Sequence, residues 1–241
     1  MKKSAPRRAL IAGNWKMHAT RAEAVALIDG IKEAAGARDR EVVIAPPYTA
    51  LETAARAIEG TAIGLAGQNL HWEPKGAFTG EISGEMLKDA GCTYVIVGHS
   101  ERRQYFGETN ETVRQKIEAA LRAALKPIVC IGETLREREA GETEAVLRRQ
   151  LSVLEPDDSL VIAYEPVWAI GTGKTATPEI AQEAHAFIKS LIDAPVLYGG
   201  SVNPGNAAEL CAQPDVDGAL VGGASLDVDS FATICRAASR S

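Results

Sequence analysis

The chain of 241 residues has no apolar run approaching the roughly 20 residues that cross a bilayer. Its longest, such as residues 42–47, are about six residues long. It has no excess of positive charge either: 26 Lys and Arg stand against 32 Asp and Glu, for a net charge of −6. That balance argues against a general nucleic-acid or anionic-membrane surface, so a small anionic substrate needs local donors rather than a global field. Cysteine is scarce, with four residues and no C-x-x-C pair, which excludes a disulfide framework and fits reduced thiols in a cytoplasmic protein. No H-x-x-x-H or paired-carboxylate set is present, so no metal is expected, and no cofactor. The basic start, residues 1–8, leads into no apolar signal core and reads as a short tail on one domain spanning 1–241.

What is there is an alternation of short apolar runs and helix-period segments. Strands are expected at 9–13, 41–46, 61–66, 93–98, 127–131, 160–165, 195–199 and 218–222. Most are apolar throughout, as parallel strands covered on both faces must be. Between them, Thr20 with Glu23 and Thr49 with Glu52 have capping-box spacing, and Thr177-Pro178 and Asn203-Pro204 place a cap residue before a proline. Ile180, Ala184, Phe187, Ile188 and Leu191 line one helical face, as do Val113, Ile117, Leu121 and Ala124. Eight βα units without a composition break predict an α/β fold, a single (β/α)8 barrel of eight parallel strands ringed by helices; an open doubly wound sheet is the rival.

In such a barrel the chemistry sits where strands end. The first strand ends Gly13-Asn14-Trp15-Lys16, an amide and an ammonium two residues apart, which a surface lysine would also explain. The fourth runs into Gly98-His99-Ser100-Glu101-Arg102-Arg103. At the start of a helical turn the dipole disfavours an imidazolium, so His99 is a candidate neutral hydrogen-bond donor, against the reading of a satisfied structural histidine. His185 lies mid-helix and reads as structural or solvated. The sixth strand ends in Glu165, aimed by Pro166 and expected to have a raised pKa suited to a general base. Three glycine clusters follow: Gly171-Thr172-Gly173, Gly199-Gly200-Ser201 and Gly222-Gly223-Ala224-Ser225. Backbone N–H groups converge on an anion most easily at such glycines. The P-loop-like Gly171-Thr172-Gly173-Lys174-Thr175 lacks its leading glycine and the strand–turn–helix context.

Ala12-Gly13-Asn14-Trp15-Lys16-Met17, Val97-Gly98-His99-Ser100-Glu101-Arg102-Arg103, Ala163-Tyr164-Glu165-Pro166-Val167-Trp168 through Gly173, and Tyr198-Gly199-Gly200-Ser201-Val202 closely resemble triosephosphate isomerase, in order and over essentially the whole chain. The resemblance implies metal-independent interconversion of dihydroxyacetone phosphate and glyceraldehyde 3-phosphate through an enediolate, a step of glycolysis and gluconeogenesis. It implies Glu165 as base, His99 as neutral electrophile, Lys16 and Asn14 as the groups facing the anionic substrate, and Glu101 as an orienting acid. The phosphate is then expected near Gly171, Ser201, Gly222 and Gly223, under a lid formed by residues 166–176. Residues 68–81 are similar to the loop that inserts into a second subunit of a homodimer, with Trp72 and Phe78 exposed on it. Cys130 matches a thiol read as packing. The competing functions are another phosphate-binding barrel isomerase or epimerase, a Schiff-base aldolase using Lys16, and a non-catalytic barrel scaffold.

Overall fold

The computed structural model describes residues 8–36, 39–170 and 176–238. The expected tail at 1–8 therefore lies outside them save for Arg8, and so do residues 171–175 of the expected lid. Eight strands run β1 (Ala9–Asn14), β2 (Arg40–Ala45), β3 (Ile63–Gly67), β4 (Tyr94–Val97), β5 (Lys126–Ile131), β6 (Val161–Tyr164), β7 (Val196–Tyr198) and β8 (Gly218–Val221). All neighbours pair in parallel and in chain order, and β1 closes on β8 with Gly13 opposite Val221. Each expected strand is present, shifted by a residue or two at its ends. Closure leaves no sheet edge, which sets aside the open-sheet rival.

Why the strands are apolar throughout is visible in their two faces. Leu10, Ala12, Val43, Ala45, Tyr94, Ile96, Ile128, Cys130, Ala163 and Leu220 pack inside the barrel. The alternate residues, among them Ile11, Val42, Ile44, Val95, Val97, Val129, Ile162 and Val221, pack outward against the helices. Each Val, Leu or Ile side chain so withdrawn from water contributes roughly 1.5–3 kcal/mol. The same parity carries the chain to its functional end: Leu10 and Ala12 lead to Asn14, Val161 and Ala163 to Glu165, Leu197 to Gly199, and Leu220 to Gly222.

The outer ring comprises α1 (Arg21–Ala35), α2 (Leu51–Ala57), α3 (Gly84–Asp89), α4 (Ser100–Phe106), α5 (Asn110–Arg122), α6 (Leu135–Glu139), α7 (Thr143–Leu151), α8 (Pro178–Leu191), α9 (Ala207–Cys211) and α10 (Val228–Ala237). Thr20 and Glu23 form the expected capping box on α1, and Thr177 caps α8 with Pro178 in its first turn. Two expected caps differ. Thr49 lies within a short 3-10 turn, Tyr48–Ala50, entered from Pro47, and its box with Glu52 does not form; Glu52 pairs with Arg56 instead, at 2.5 Å. Asn203 caps a separate turn, accepting from Gly205 N–H at 2.9 Å, and α9 begins only at Ala207. On α8, Ala184 and Ile188 are buried as expected, while Leu191 is exposed at the helix end. Val113 and Ile117 are buried on α5, but Ala124 lies beyond its end in a left-handed turn.

Candidate active site

At the C-terminal mouth of the barrel a cavity of about 350 Å³ is lined by Asn14, Lys16, His99, Glu165, Ser201, Gly222 and Gly223, together with Gly199, Gly200 and Ala224. Seven of the residues expected from the strand ends therefore share one cavity, and Glu101 reaches it through Lys16. Gly171 lies outside the described residues. Among the described residues no group of three or more His, Cys, Asp or Glu side chains is arranged to hold a metal ion.

Lys16 adopts φ 51°, a left-handed conformation that a side-chain-bearing residue rarely takes, at a cost on the order of 1–2 kcal/mol. Three bonds hold it there. Its N–H donates to Asn14 Oδ1 (3.1 Å), its carbonyl accepts from Gln68 Nε2 (2.8 Å), and its Nζ meets Glu101 Oε1 at 2.5 Å. Gln68 Nε2 also donates to Ala45 O at 2.8 Å, tying Lys16 to the end of β2.

His99 is the N-cap of α4, and its Nδ1 accepts from Glu101 N–H at 3.2 Å. That bond places the ring proton of the neutral form on Nε2, which faces Glu165 Oε1 at 3.0 Å. Among the described residues no donor is aligned for a good hydrogen bond to this oxygen. Burial pulls the imidazole pKa down, while Glu165 and Glu101 pull it up, and the upward pull prevails while Glu165 lies alongside. Helix position alone therefore does not decide the charge of the ring, as the sequence had suggested. Nδ1 weighs toward neutrality, since a doubly protonated ring forfeits its bond from Glu101.

Glu165 is almost fully buried, and its Oε2 accepts from Ser100 N–H, at the start of α4, at 2.8 Å. Burial pushes its pKa up, but the nearby His99 ring, when charged, and the Ser100 N–H outweigh it, so the pKa is lowered. The expectation of a raised value fails here because desolvation is answered by donors. Space for this side chain comes from Gly199, where a Cβ would stand 2.9 Å from Glu165 Cγ. The glycine cluster thus makes room for the carboxylate as well as for an anion.

Several contributors escaped the sequence reading. Ser100 acts through its backbone, for which side-chain identity carries no signal. Gln68 was read only as the edge of a loop. Glu133, fully buried just past β5, accepts from Tyr164 Oη (3.1 Å) and Trp168 Nε1 (2.9 Å) and so ties down both flanks of Glu165. It too is a carboxylate following an apolar strand, the signal that marked Glu165. His185 is completely buried rather than solvated. Cys130 packs inside the barrel, as expected.

The fold and this mouth define a class: a (β/α)8 barrel with carboxylate, imidazole and ammonium gathered around a glycine-walled cavity, the layout of a barrel enzyme acting on a small anion. Comparison with known proteins narrows it. The sequence profile described as triosephosphate isomerase matches residues 9–238. A triosephosphate isomerase of Moorella thermoacetica is 56% identical over 243 residues, spanning 95% of this chain and 98% of its own. One of Citrifermentans bemidjiense is 53% identical over 250 residues, with the same coverage. The crystal structure of triosephosphate isomerase from Bartonella henselae superposes with a TM-score of 0.89 at 42% identity, covering 96% of this chain and 99% of that one. The chain belongs to the triosephosphate isomerase family.

Proposed function

We propose that this barrel interconverts dihydroxyacetone phosphate and glyceraldehyde 3-phosphate by moving one proton between adjacent carbons, with Glu165 as the base. The observation that carries the reading is the meeting of Glu165, His99 and Lys16 in one cavity beside Ser201, Gly222 and Gly223. Glu165 removes a proton from the carbon next to the carbonyl, the electron pair moves into the carbonyl to form an enediolate, and the proton returns to the neighbouring carbon. His99 gives its Nε2 proton to the carbonyl oxygen and takes up the proton of the neighbouring hydroxyl, so that a proton also passes from one substrate oxygen to the other. It can do so uncharged because Nδ1 is occupied as an acceptor. Lys16, kept in place by Asn14 and Glu101, offsets the developing negative charge. Glu101 is an orienting residue, linked to both Lys16 Nζ and the Nδ1 side of His99.

The phosphate is assigned to backbone N–H groups near Ser201, Gly222 and Gly223, with Gly171 contributing from the lid that spans 166–176. Closure of that lid keeps water from the enediolate. The reading needs no cofactor and no metal, since neutral donors and one ammonium supply the electrostatics. It places the protein in the cytoplasm as a single domain; no helix among the described residues is long and apolar enough to cross a membrane.

A homodimer through residues 68–81 completes the reading. That loop is well tied: His71 stacks on Trp72 and packs against Phe78, each with ring centroids 4.3 Å apart. Phe78 remains 43% exposed, whereas Trp72 is half-buried rather than open. The test is conversion of glyceraldehyde 3-phosphate in a coupled spectrophotometric assay with a metal chelator present. Fast turnover indifferent to the chelator is expected. Absence of turnover from folded protein overturns the reading and returns attention to metal-dependent sugar-phosphate barrels or a scaffold.

A further inference from the structure

β5 ends at Ile131, and the next two residues, Gly132 and Glu133, grip the chain around Glu165 from below. Glu165 N–H donates to Ile131 O at 2.7 Å and Val167 N–H to Glu133 O at 3.1 Å. Glu133 then takes Tyr164 Oη and Trp168 Nε1 on its carboxylate. Gly132 lies against Glu165 itself, for a Cβ added there would stand 1.8 Å from Glu165 O. Any displacement of Gly132 is therefore passed directly to the backbone of Glu165, because close-packed groups have no slack to absorb it.

Among the described residues, a single side chain is hydrogen-bonded to Gly132. Its N–H donates to Gln150 Oε1 at 2.7 Å, and its carbonyl accepts from Gln150 Nε2 at 3.2 Å. The planar amide offers one donor and one acceptor side by side, as a neighbouring strand would, just where the regular ladder of β5 has ended. Gln150 comes from α7, which is already anchored by buried Val146, Leu147 and Leu151. The amide is thus not what docks the helix.

We propose that Gln150 is a positioning residue for the reaction: it fixes Gly132 and Glu133, and through them the placement of Glu165. The proposal rests on the reading of Glu165 as the base. It concerns the rate of the chemical step rather than substrate affinity, since Gln150 is not among the residues lining the active-site cavity. A misplacement of about 1 Å at a reacting group costs up to about a hundredfold in rate.

Gln150→Met keeps the length of the side chain and removes both bonds; Gln150→Glu keeps the acceptor for the shorter one. With the full-length chain, the expected result for Gln150→Met is a kcat lowered about tenfold to a hundredfold with KM changed by less than about threefold. Gln150→Glu should recover part of that loss through the acceptor it keeps for the Gly132 N–H, although its second oxygen faces the Gly132 carbonyl without a proton to donate; a general loss of helix docking would allow no such recovery. Thermal unfolding is followed in parallel, and Gln150→Asn, which keeps the amide but falls one methylene short, is read the same way should the Met variant not fold. A kcat within about twofold of the unaltered protein for Gln150→Met overturns the proposal, as does a loss that Glu does not relieve or that appears equally in KM. If the unaltered protein itself shows no isomerisation, the functional reading falls and this one with it. An active parent beside an unaffected Met variant removes the role of Gln150 alone.

Discussion

Glu165 is held between opposing pulls. A buried carboxylate resists ionisation, yet the Ser100 N–H at 2.8 Å and the adjacent His99 ring hold this one ionised. A base in that state is ready at neutral pH, and to reach a substrate carbon it has only to release the Ser100 N–H. Reach is then the sensitive quantity. Glu165→Asp withdraws the carboxylate by one methylene without changing its chemistry, so kcat should fall by about a hundredfold or more while KM stays near its original value. Steady-state kinetics on the purified variant checks this, and near-original turnover removes Glu165 as the base. At this scale the side chains were legible, because a charged or polar residue ending an apolar strand is conspicuous: Asn14, Lys16, His99 and Glu165 all stood out. What was not legible was the environment. The lowered pKa comes from a backbone N–H and from a ring 66 residues distant in the chain, and neither is written in the sequence around Glu165.

At the scale of elements, local signals succeeded where the backbone was free to follow them. Thr20 and Thr177 cap helices because nothing upstream competes, whereas Pro47 directs Tyr48–Ala50 into a 3-10 turn and leaves Thr49 without a helix to cap. α8 shows a consequence that the helical period hides. His185 lies on its buried side between Tyr164 and Tyr198, with Nδ1 near Asp215 O at 3.3 Å and, among the described residues, no partner for Nε2. Burial lowers its pKa to about 4, although Asp215 and Asp217 pull upward and Lys189 adds to the lowering. In the unfolded chain the ring takes up a proton near pH 6.5, which the folded protein refuses until about pH 4. Stability is therefore complete at neutral pH and drains away as pH falls through that window, by up to about 3 kcal/mol from this residue. His185→Phe keeps a flat ring in place but has no proton to take. Between pH 7 and pH 4.5, urea unfolding should show the unaltered protein losing about 2 kcal/mol more than the variant. Equal losses would mean that His185 is not held neutral by burial.

At the scale of the whole molecule, the barrel was legible because its requirements repeat eight times: strands apolar on both faces, each followed by a helix-period segment. The surface was less so, since exposure depends on neighbours that are distant in the chain. Met17 is 94% exposed, and Tyr105 and Phe106 are each 68% exposed. Phe106 lines the same surface cavity as Phe78 and Thr79 of loop 68–81. Exposed apolar groups gathered in this way favour association. Their position matters for the chemistry, because Met17 directly follows the left-handed Lys16, whose carbonyl is held by Gln68 at the root of that loop. A second subunit covering Met17 and loop 68–81 would hold the unfavourable Lys16 conformation that a monomer leaves open to solvent. Isomerase activity per chain should then fall about tenfold or more on dilution to where sedimentation reports monomer, since a placement error of even 1 Å at Lys16 suffices for that loss. Addition of concentrated Glu165→Ala chains, with their own residual turnover subtracted, should restore activity to the diluted protein by re-forming dimers. A monomer with full activity would show that Lys16 needs no second subunit to keep its shape, and that loop 68–81 serves this barrel in some other way.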